Sequence, residues 1–316
     1  LSLRNVEDII IAGRWPGSVE TLENMEFGFP RGWTRLRGFS FLYARPCRME
    51  ETMITSMHNK AVKEVVALLG KKRERERQGL FVVEGGKMFG EAPAEWISRV
   101  YLAQSAEKEM YAQYGDKLSG LPCEIVADEV FAKMSDTVTP QGILCLVRQR
   151  RYHIEETLRD ADEKRMLFII LEDIQDPGNL GTIFRTAEAA GVDCVIMSSR
   201  TADIYNPKTI RSTMGAVYRV PFLYTEDISS VIEMLRERGT TVYAAHLGAH
   251  NFYDAYDYQK STAFLIGNEA NGLRDETAGC ADALIGIPME GKVESLNAAV
   301  ASSILLYEAY RQRRNR

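Results

Sequence analysis

The second half of this chain carries a series of short segments that are apolar at nearly every position: LFIILE (167–172), CVIMS (194–198), TVYAAHL (241–247), AFLIG (263–267) and ALIGIP (283–288). A strand with one wet face alternates apolar and polar residues with a period of two, so an unbroken run demands cover on both faces. Stretches with helical spacing separate the runs. A parallel sheet covered by helices is the arrangement that connects such elements, which predicts an α/β domain over residues 166–316. Ligands of such sheets sit beyond the carboxyl ends of the strands. The loops that follow each run are therefore where chemistry is sought.

The front of the chain reads differently. In NKAVKEVVALLGKKRERERQG (59–79), Val62, Val65, Val66 and Leu69 share one face of a helix that Gly79 stops. LFVVEG (80–85), a strand near 100–102, another at 123–126 and GILCLV (142–147) alternate with helical stretches. Together they predict a small α/β domain over 53–148. The highly charged segment 149–165 reads as a linker. Residues 1–52 follow neither period. Between Phe27 and Arg48 they hold five Arg and no Lys or acid, interleaved with Phe29, Trp33, Phe39, Phe41 and Tyr43. Such a mixture can stack on unpaired bases, but the lack of periodicity favours an irregular extension, as do Met49, Met53 and Met57 just ahead of the first helix.

Composition narrows the class. Apolar residues are 45% and charged residues 26%, the balance of an ordinary globular protein, and no apolar run is long enough for a membrane helix. Five cysteines (Cys47, Cys123, Cys145, Cys194, Cys280) form no CxxC pair, which points to free thiols in a reducing, cytoplasmic compartment. The net charge is −5, yet positive charge gathers in KKRERER (71–77), RQRR (148–151) and RQRRNR (311–316). Basic runs of this kind are either solvated faces or footprints for phosphate.

Three loops carry unusual residues. DPGNLGTIFRTAEAAG (176–191) makes a turn, starts a helix and stops it at Gly191. Read alone, Asn179 is an N-cap and Arg185 pairs with Glu188. The loop lacks the three-glycine spacing of a dinucleotide site, which excludes a Rossmann dehydrogenase. IGNEANGL (266–273) sets Asn268, Glu269 and Asn271 between glycines directly after a strand. In the third loop Ser295 is placed to cap a long helix whose first turn carries Asn297 and then Ala298, Ala299, Ala301, Ser302 and Ser303, small residues that permit close backbone approach. His246 and His250 have HxxxH spacing but no third ligand, so no metal site is expected.

In order and separation, NLGTIFRTAEAAG, IGNEANGL and IPMEGKVESLNAAVASSILLYE resemble the three motifs of the SpoU (TrmH-type) RNA ribose methyltransferases. NPKTIRSTMGAVYRVP (206–221) resembles the segment after the second strand of that family, and the front domain resembles its ribosomal-protein-like substrate-binding domain. The resemblance implies a trefoil-knotted parallel-sheet domain and a homodimer. It implies S-adenosylmethionine bound near Gly267, Asn268, Ile287, Met289 and Leu296, and a metal-free reaction at Asn179, Arg185, Glu269, Ser295 and Asn297. Arg185 is better suited to clamping phosphate and developing oxyanion charge than to taking a proton, because guanidinium stays protonated. Arg73, Arg75 and Arg77 become the expected RNA contacts of the front domain. Ribosomal RNA is favoured over tRNA as substrate. A non-catalytic RNA-binding protein on the same fold is the alternative from another class.

Overall fold

The structure, a computed structural model, describes residues 53–158 and 165–314. The segment 1–52, with its proposed irregular character, lies outside the described residues. The front part comprises α1 (Lys60–Gly70), α2 (Lys72–Gln78), β1 (Leu80–Glu84), α3 (Gly86–Glu91), β2 (Ile97–Ala103), α4 (Glu107–Leu118), β3 (Cys123–Val126), α5 (Asp128–Met134) and β4 (Ile143–Arg148). Its strands form a sheet in the order β1-β4-β2-β3, antiparallel except for β2 and β3. A short helix, α6 (Ile154–Thr157), leads on. The second part comprises β5 (Leu167–Leu171), α7 (Pro177–Ala190), β6 (Cys194–Ser198), α8 (Pro207–Thr213), β7 (Phe222–Thr225), α9 (Ile228–Glu237), β8 (Thr241–Ala245), β9 (Asn251–Phe252), β10 (Thr262–Ile266), α10 (Asp275–Gly279), β11 (Ala283–Gly286) and α11 (Ala298–Arg314).

The second sheet runs β7-β6-β5-β10-β8-β11-β9, with every pairing parallel. Its central strands explain the unbroken apolar runs. In β5, Leu167, Ile169 and Leu171 enter one core while Phe168 and Ile170 enter the core on the opposite face. β6 and β10 divide in the same way, and each of these three strands is buried at every position. Two strands escaped the sequence reading. β7 is short and partly exposed, and β9 has only two residues, too few for any period to register.

The expected first helix is broken. Lys71 takes an extended conformation and separates α1 from α2, while Gly79 ends α2 in the left-handed region as expected. The buried stripe of α1 is Ala61, Val62, Val65 and Leu68, so the helix sits rotated from the expected face and Val66 is exposed. Asn59 caps it through the amide of Ala61.

The described residues belong to one compact unit. One apolar core runs through both sheets, from Phe81, Met88 and Phe89 in front to Tyr205, Tyr218 and Phe222 behind, and the Phe81 and Tyr205 rings lie 4.6 Å apart. The segment after β4 is docked. The backbone of Arg150 exchanges hydrogen bonds with the Tyr205 hydroxyl, and its guanidinium lies over Trp96. Among the described residues no helix is long and apolar enough to cross a membrane.

Candidate active site

The carboxyl end of β5 organises the site. Glu172, 1% exposed, accepts hydrogen bonds from the Arg274 backbone amide (2.8 Å), the Arg274 guanidinium (2.8 Å) and the Thr277 hydroxyl (2.5 Å). These bonds pin the start of α10 beneath the IGNEANGL loop. The next residue, Asp173, adopts φ 56°, a conformation that non-glycine residues enter at a cost. Its amide and carboxylate both bond Ser198, and its carbonyl accepts the Asn268 side-chain amide at 2.7 Å. The loop then turns on itself. The backbones of Asn268 and Gly272 exchange hydrogen bonds, and a Cβ at Gly267 would lie 2.2 Å from the Gly272 carbonyl carbon. Only glycine fits at 267 for that reason.

Asp176, not Asn179, caps α7: its carboxylate accepts the Asn179 amide at 2.8 Å, with Pro177 in the first turn. The Asn179 side chain is thereby free for other partners. Its Nδ2 donates to Glu269 at 2.9 Å, and its Oδ1 accepts from Asn297 Nδ2 at 2.9 Å. Asn297 Oδ1 in turn accepts the amides of Ala299 (2.9 Å) and Val300 (3.3 Å). Asn297 is therefore the cap of α11, a role the sequence assigned to Ser295. Ser295 lies two residues earlier in the exposed loop, out of the capping position.

Glu269 also accepts the amides of Gln175 (3.1 Å) and Asp176 (3.2 Å). Partial burial pushes its carboxyl up, but the bonds from Asn179 and these amides outweigh burial and hold its pKa below the ordinary value of 4.5. The Asn179 amide holds Asp176 low as well, assisted by Lys208 against a small burial cost. Both groups are anionic at neutral pH. Glu269 is thus an acceptor that fixes the amide orientation of Asn179, and through it that of Asn297, as a directed relay. Each of these two amides keeps one further N–H for a substrate, and the Asn179 oxygen, which accepts a single bond, keeps a lone pair as well.

Beside the relay lies a pocket of about 270 Å³. Gly267, Asn268, Ile287, Met289 and Leu296, the expected donor contacts, all line it, together with Glu269 and Ser295. The sequence reading missed Ala245, His246 and Leu247 at the end of β8, which also line it. The adjacency of β8 to both β10 and β11 was the missing information. The apolar walls and carbonyl-rich turns suit an adenine ring and a ribose, and the Glu269 carboxylate at the rim suits a cationic group. The residues present therefore fit S-adenosylmethionine. Among the described residues no group of three or more His, Cys, Asp and Glu could hold a metal ion.

Arg185 stands apart. It is exposed on α7, and among the described residues no hydrogen bond or ion pair engages it. Six residues from Asn179, it points about 240° around the helix, so it does not join the relay. The local pair with Glu188 does not form, because Glu188 is bound by Arg219, which also reaches Glu91 of the front domain at 2.9 Å. The expected basic row is corrected more sharply. Arg75 is 3% exposed, pairs with Asp203 at 2.6 Å and donates to the Leu68 carbonyl, so it is a structural tie and not an RNA contact. Arg77 is bonded to Glu74 on an exposed face, and Arg73 is exposed.

Residues 166–307 match the model of the SpoU rRNA Methylase family, and residues 59–145 match the MRM3-like substrate binding domain. A curated relative from Bacillus subtilis (strain 168), 23S rRNA (guanosine(2553)-2'-O)-methyltransferase RlmP, is 32% identical over 80% of this chain and 97% of its own. The chain belongs to the SpoU rRNA methylase family. A second relative of this methyltransferase, the 23S rRNA (uridine(2479)-2'-O)-methyltransferase of Streptomyces viridochromogenes, is 30% identical over 78% of this chain and 88% of its own. The crystal structure of an AdoMet-bound rRNA methyltransferase from Sinorhizobium meliloti superposes with a TM-score of 0.70 at 31% identity. It covers 82% of this chain and 97% of that one. The SpoU enzyme described here therefore combines a small mixed sheet in front with a parallel-sheet methyltransferase half.

Proposed function

We propose that this enzyme methylates the ribose 2'-oxygen of a nucleotide in 23S-type ribosomal RNA, using S-adenosylmethionine. The observation that carries the reading is the Glu269–Asn179–Asn297 relay beside a pocket built from three strand-end loops. The 23S rRNA methyltransferase activities of the two curated relatives support ribosomal RNA over tRNA. When bound, S-adenosylmethionine supplies an electrophilic methyl group on a sulfonium. The chain's own residues supply position and charge. The pocket walls hold apolar surface and exclude water. Asn179 and Asn297 present amide groups of fixed orientation to the ribose. Arg185, exposed and unengaged, clamps an RNA phosphate and stabilises charge developing on the 2'-oxygen. Ser295, on the loop at the pocket rim, shapes the donor site.

The same reading has the last segment threaded through the preceding loop as a trefoil knot, which the convergence of three separate loops on one pocket supports. It also has two copies associating through α11, where Val300, Tyr307 and Tyr310 form an exposed stripe beside Ser303. A cytoplasmic setting is in keeping with the thiols of Cys145 and Cys194, which are in no disulfide. Mapping 2'-O-methyl sites in total RNA with and without the gene tests the function. Loss of a single 23S rRNA site is expected, and a site lost only from tRNA would overturn the substrate.

A further inference from the structure

The front domain holds a second cleft, of about 730 Å³, where β1, β2 and β3 end and the loop before β4 begins. We propose that it seats an unpaired base of the substrate RNA, so that the enzyme grips its RNA at a second nucleotide as well as at the methylated one. This inference rests on the functional reading above.

The cleft is built by backbone features that leave room between elements. Gly85 and Gly142 take φ values of 99° and 76°, and a Cβ at Gly142 would lie 2.2 Å from that of Ala106. Tyr114 breaks the helical conformation of α4 (φ −129°, ψ 18°), and its ring lies against Gly86 and Gly90, edge-on to Phe89 at 5.4 Å. The kink brings an aromatic ring to the cleft wall. Aromatic rings of this kind are the usual platform for an unstacked base.

The polar groups in the cleft suit the edge of a base. The side-chain amides of Gln113 and Gln141 line it, and among the described residues neither makes a hydrogen bond. Each amide offers both donors and an acceptor, as a base edge requires. Asp128 also lines it. One of its oxygens accepts the Ser105 amide (3.1 Å) and hydroxyl (2.7 Å), which leaves the other available. Charge then decides which part of a nucleotide enters. The carboxylates of Glu109 and Asp128 line the cleft against the single cation of Lys87, an arrangement that repels phosphate. Carboxylate and amide acceptors together favour a base rich in N–H donors, guanine above uracil.

Position links the cleft to the reaction. The loop at its rim is held by Glu84, which accepts Ser135 Oγ and Thr137 Oγ1, both at 2.7 Å. On that loop Asp136 pairs with Arg211 of α8 at 2.8 Å. One turn earlier on α8, Lys208 pairs with Asp176, the cap that sets the Asn179 loop, at 3.3 Å. Two residues about 4.5 Å apart along one short helix thus tie the cleft rim and the catalytic loop together.

The test uses the full chain and a 23S rRNA transcript carrying 6-thioguanosine, cross-linked by near-ultraviolet light and mapped by peptide mass spectrometry. Adducts are expected on peptides that contain Tyr114 or Gln141. A double variant, Gln113→Ala with Gln141→Ala, changes only exposed side chains. It should raise the KM for the transcript roughly tenfold while the Kd for S-adenosylmethionine stays within about twofold of wild type. GMP should compete with cross-linking more strongly than UMP. Adducts confined to residues 166–314, or an unchanged KM, would overturn the cleft assignment. Failure of the wild-type enzyme to methylate any 23S transcript would instead overturn the functional reading, and cross-linking would still report on the cleft.

Discussion

Helices α2 and α7 both carry arginines that attract attention in the sequence, and the fold treats them in opposite ways. In α2 the charge is largely consumed within the protein: Arg75 by Asp203, Arg77 by Glu74, and Lys72 near Glu76. In α7 a lone Arg185 is left exposed, and Glu188, its nearest acid one turn away, is taken by Arg219. Density of positive charge in a sequence is therefore a poor guide to charge available to a substrate. What matters is how many acids the tertiary structure brings to each guanidinium.

Arg75→Ala strands a largely buried Asp203 carboxylate and removes the tie between α2 and the methyltransferase half. It should destabilise the protein by about 3–5 kcal/mol in urea unfolding. A loss under about 1 kcal/mol would return Arg75 to the surface-charge class.

Arg185→Ala should leave stability and S-adenosylmethionine affinity unchanged and reduce turnover by about 10²–10³, or about 2.7–4 kcal/mol in the transition state. Arg185→Lys should recover little, since an ammonium lacks the planar fork. A lysine variant with near-normal turnover would contradict the clamp.

Glu172→Gln sharpens the contrast from the side of position. It keeps the shape of a buried side chain that contacts no substrate, but it weakens a charged anchor by about 1.5–3 kcal/mol. Loosening of the 266–277 loop should appear as weaker binding of S-adenosylmethionine by calorimetry, with the KM for RNA little changed. A raised KM for RNA with normal donor affinity would place the effect elsewhere.

Acid should act on the same loop. Glu269 and Asp176 both have depressed pKa values in the folded chain, so the stability they contribute is present above their ordinary values of 4.5 and 3.8. It is lost as pH falls through the lower folded values. Donor binding should therefore be flat from neutral pH down to about 5 and decline only below about 4.5. A decline already under way above about pH 5 would place the acid sensitivity outside these two carboxylates.

The smallest effect is expected for Arg73→Ala with Arg77→Ala. Folding stability should not change measurably, and the salt dependence of RNA binding should flatten by about one to two units of slope. An unaltered slope would make α2 a solvated face throughout.

Much of the architecture was legible because its signals are local. Unbroken apolar runs marked β5, β6 and β10, since a strand buried on both faces has no position for a polar residue. Glycines marked turns such as that at Gly191, where the left-handed conformation is required. The three loops with Asn179, Glu269 and Asn297 could be assigned to strand ends from the chain order alone. The sequence could not say that Asp176 and Asn297 would be the caps, because neighbouring Asp, Asn and Ser residues compete for that role within two or three positions. Nor could it show that Glu172 and Asp173 anchor the 266–274 loop, or that β8 supplies part of the pocket wall. Arg75 meets Asp203 across 128 residues of chain, and Asn179 meets Asn297 across 118. No periodicity encodes a pairing over such distances. Local spacing and turn chemistry determined where the elements and loops lie, whereas the packing of one sheet against another decided which charged and amide groups were consumed as ties and which were left with hydrogen-bonding capacity to spare.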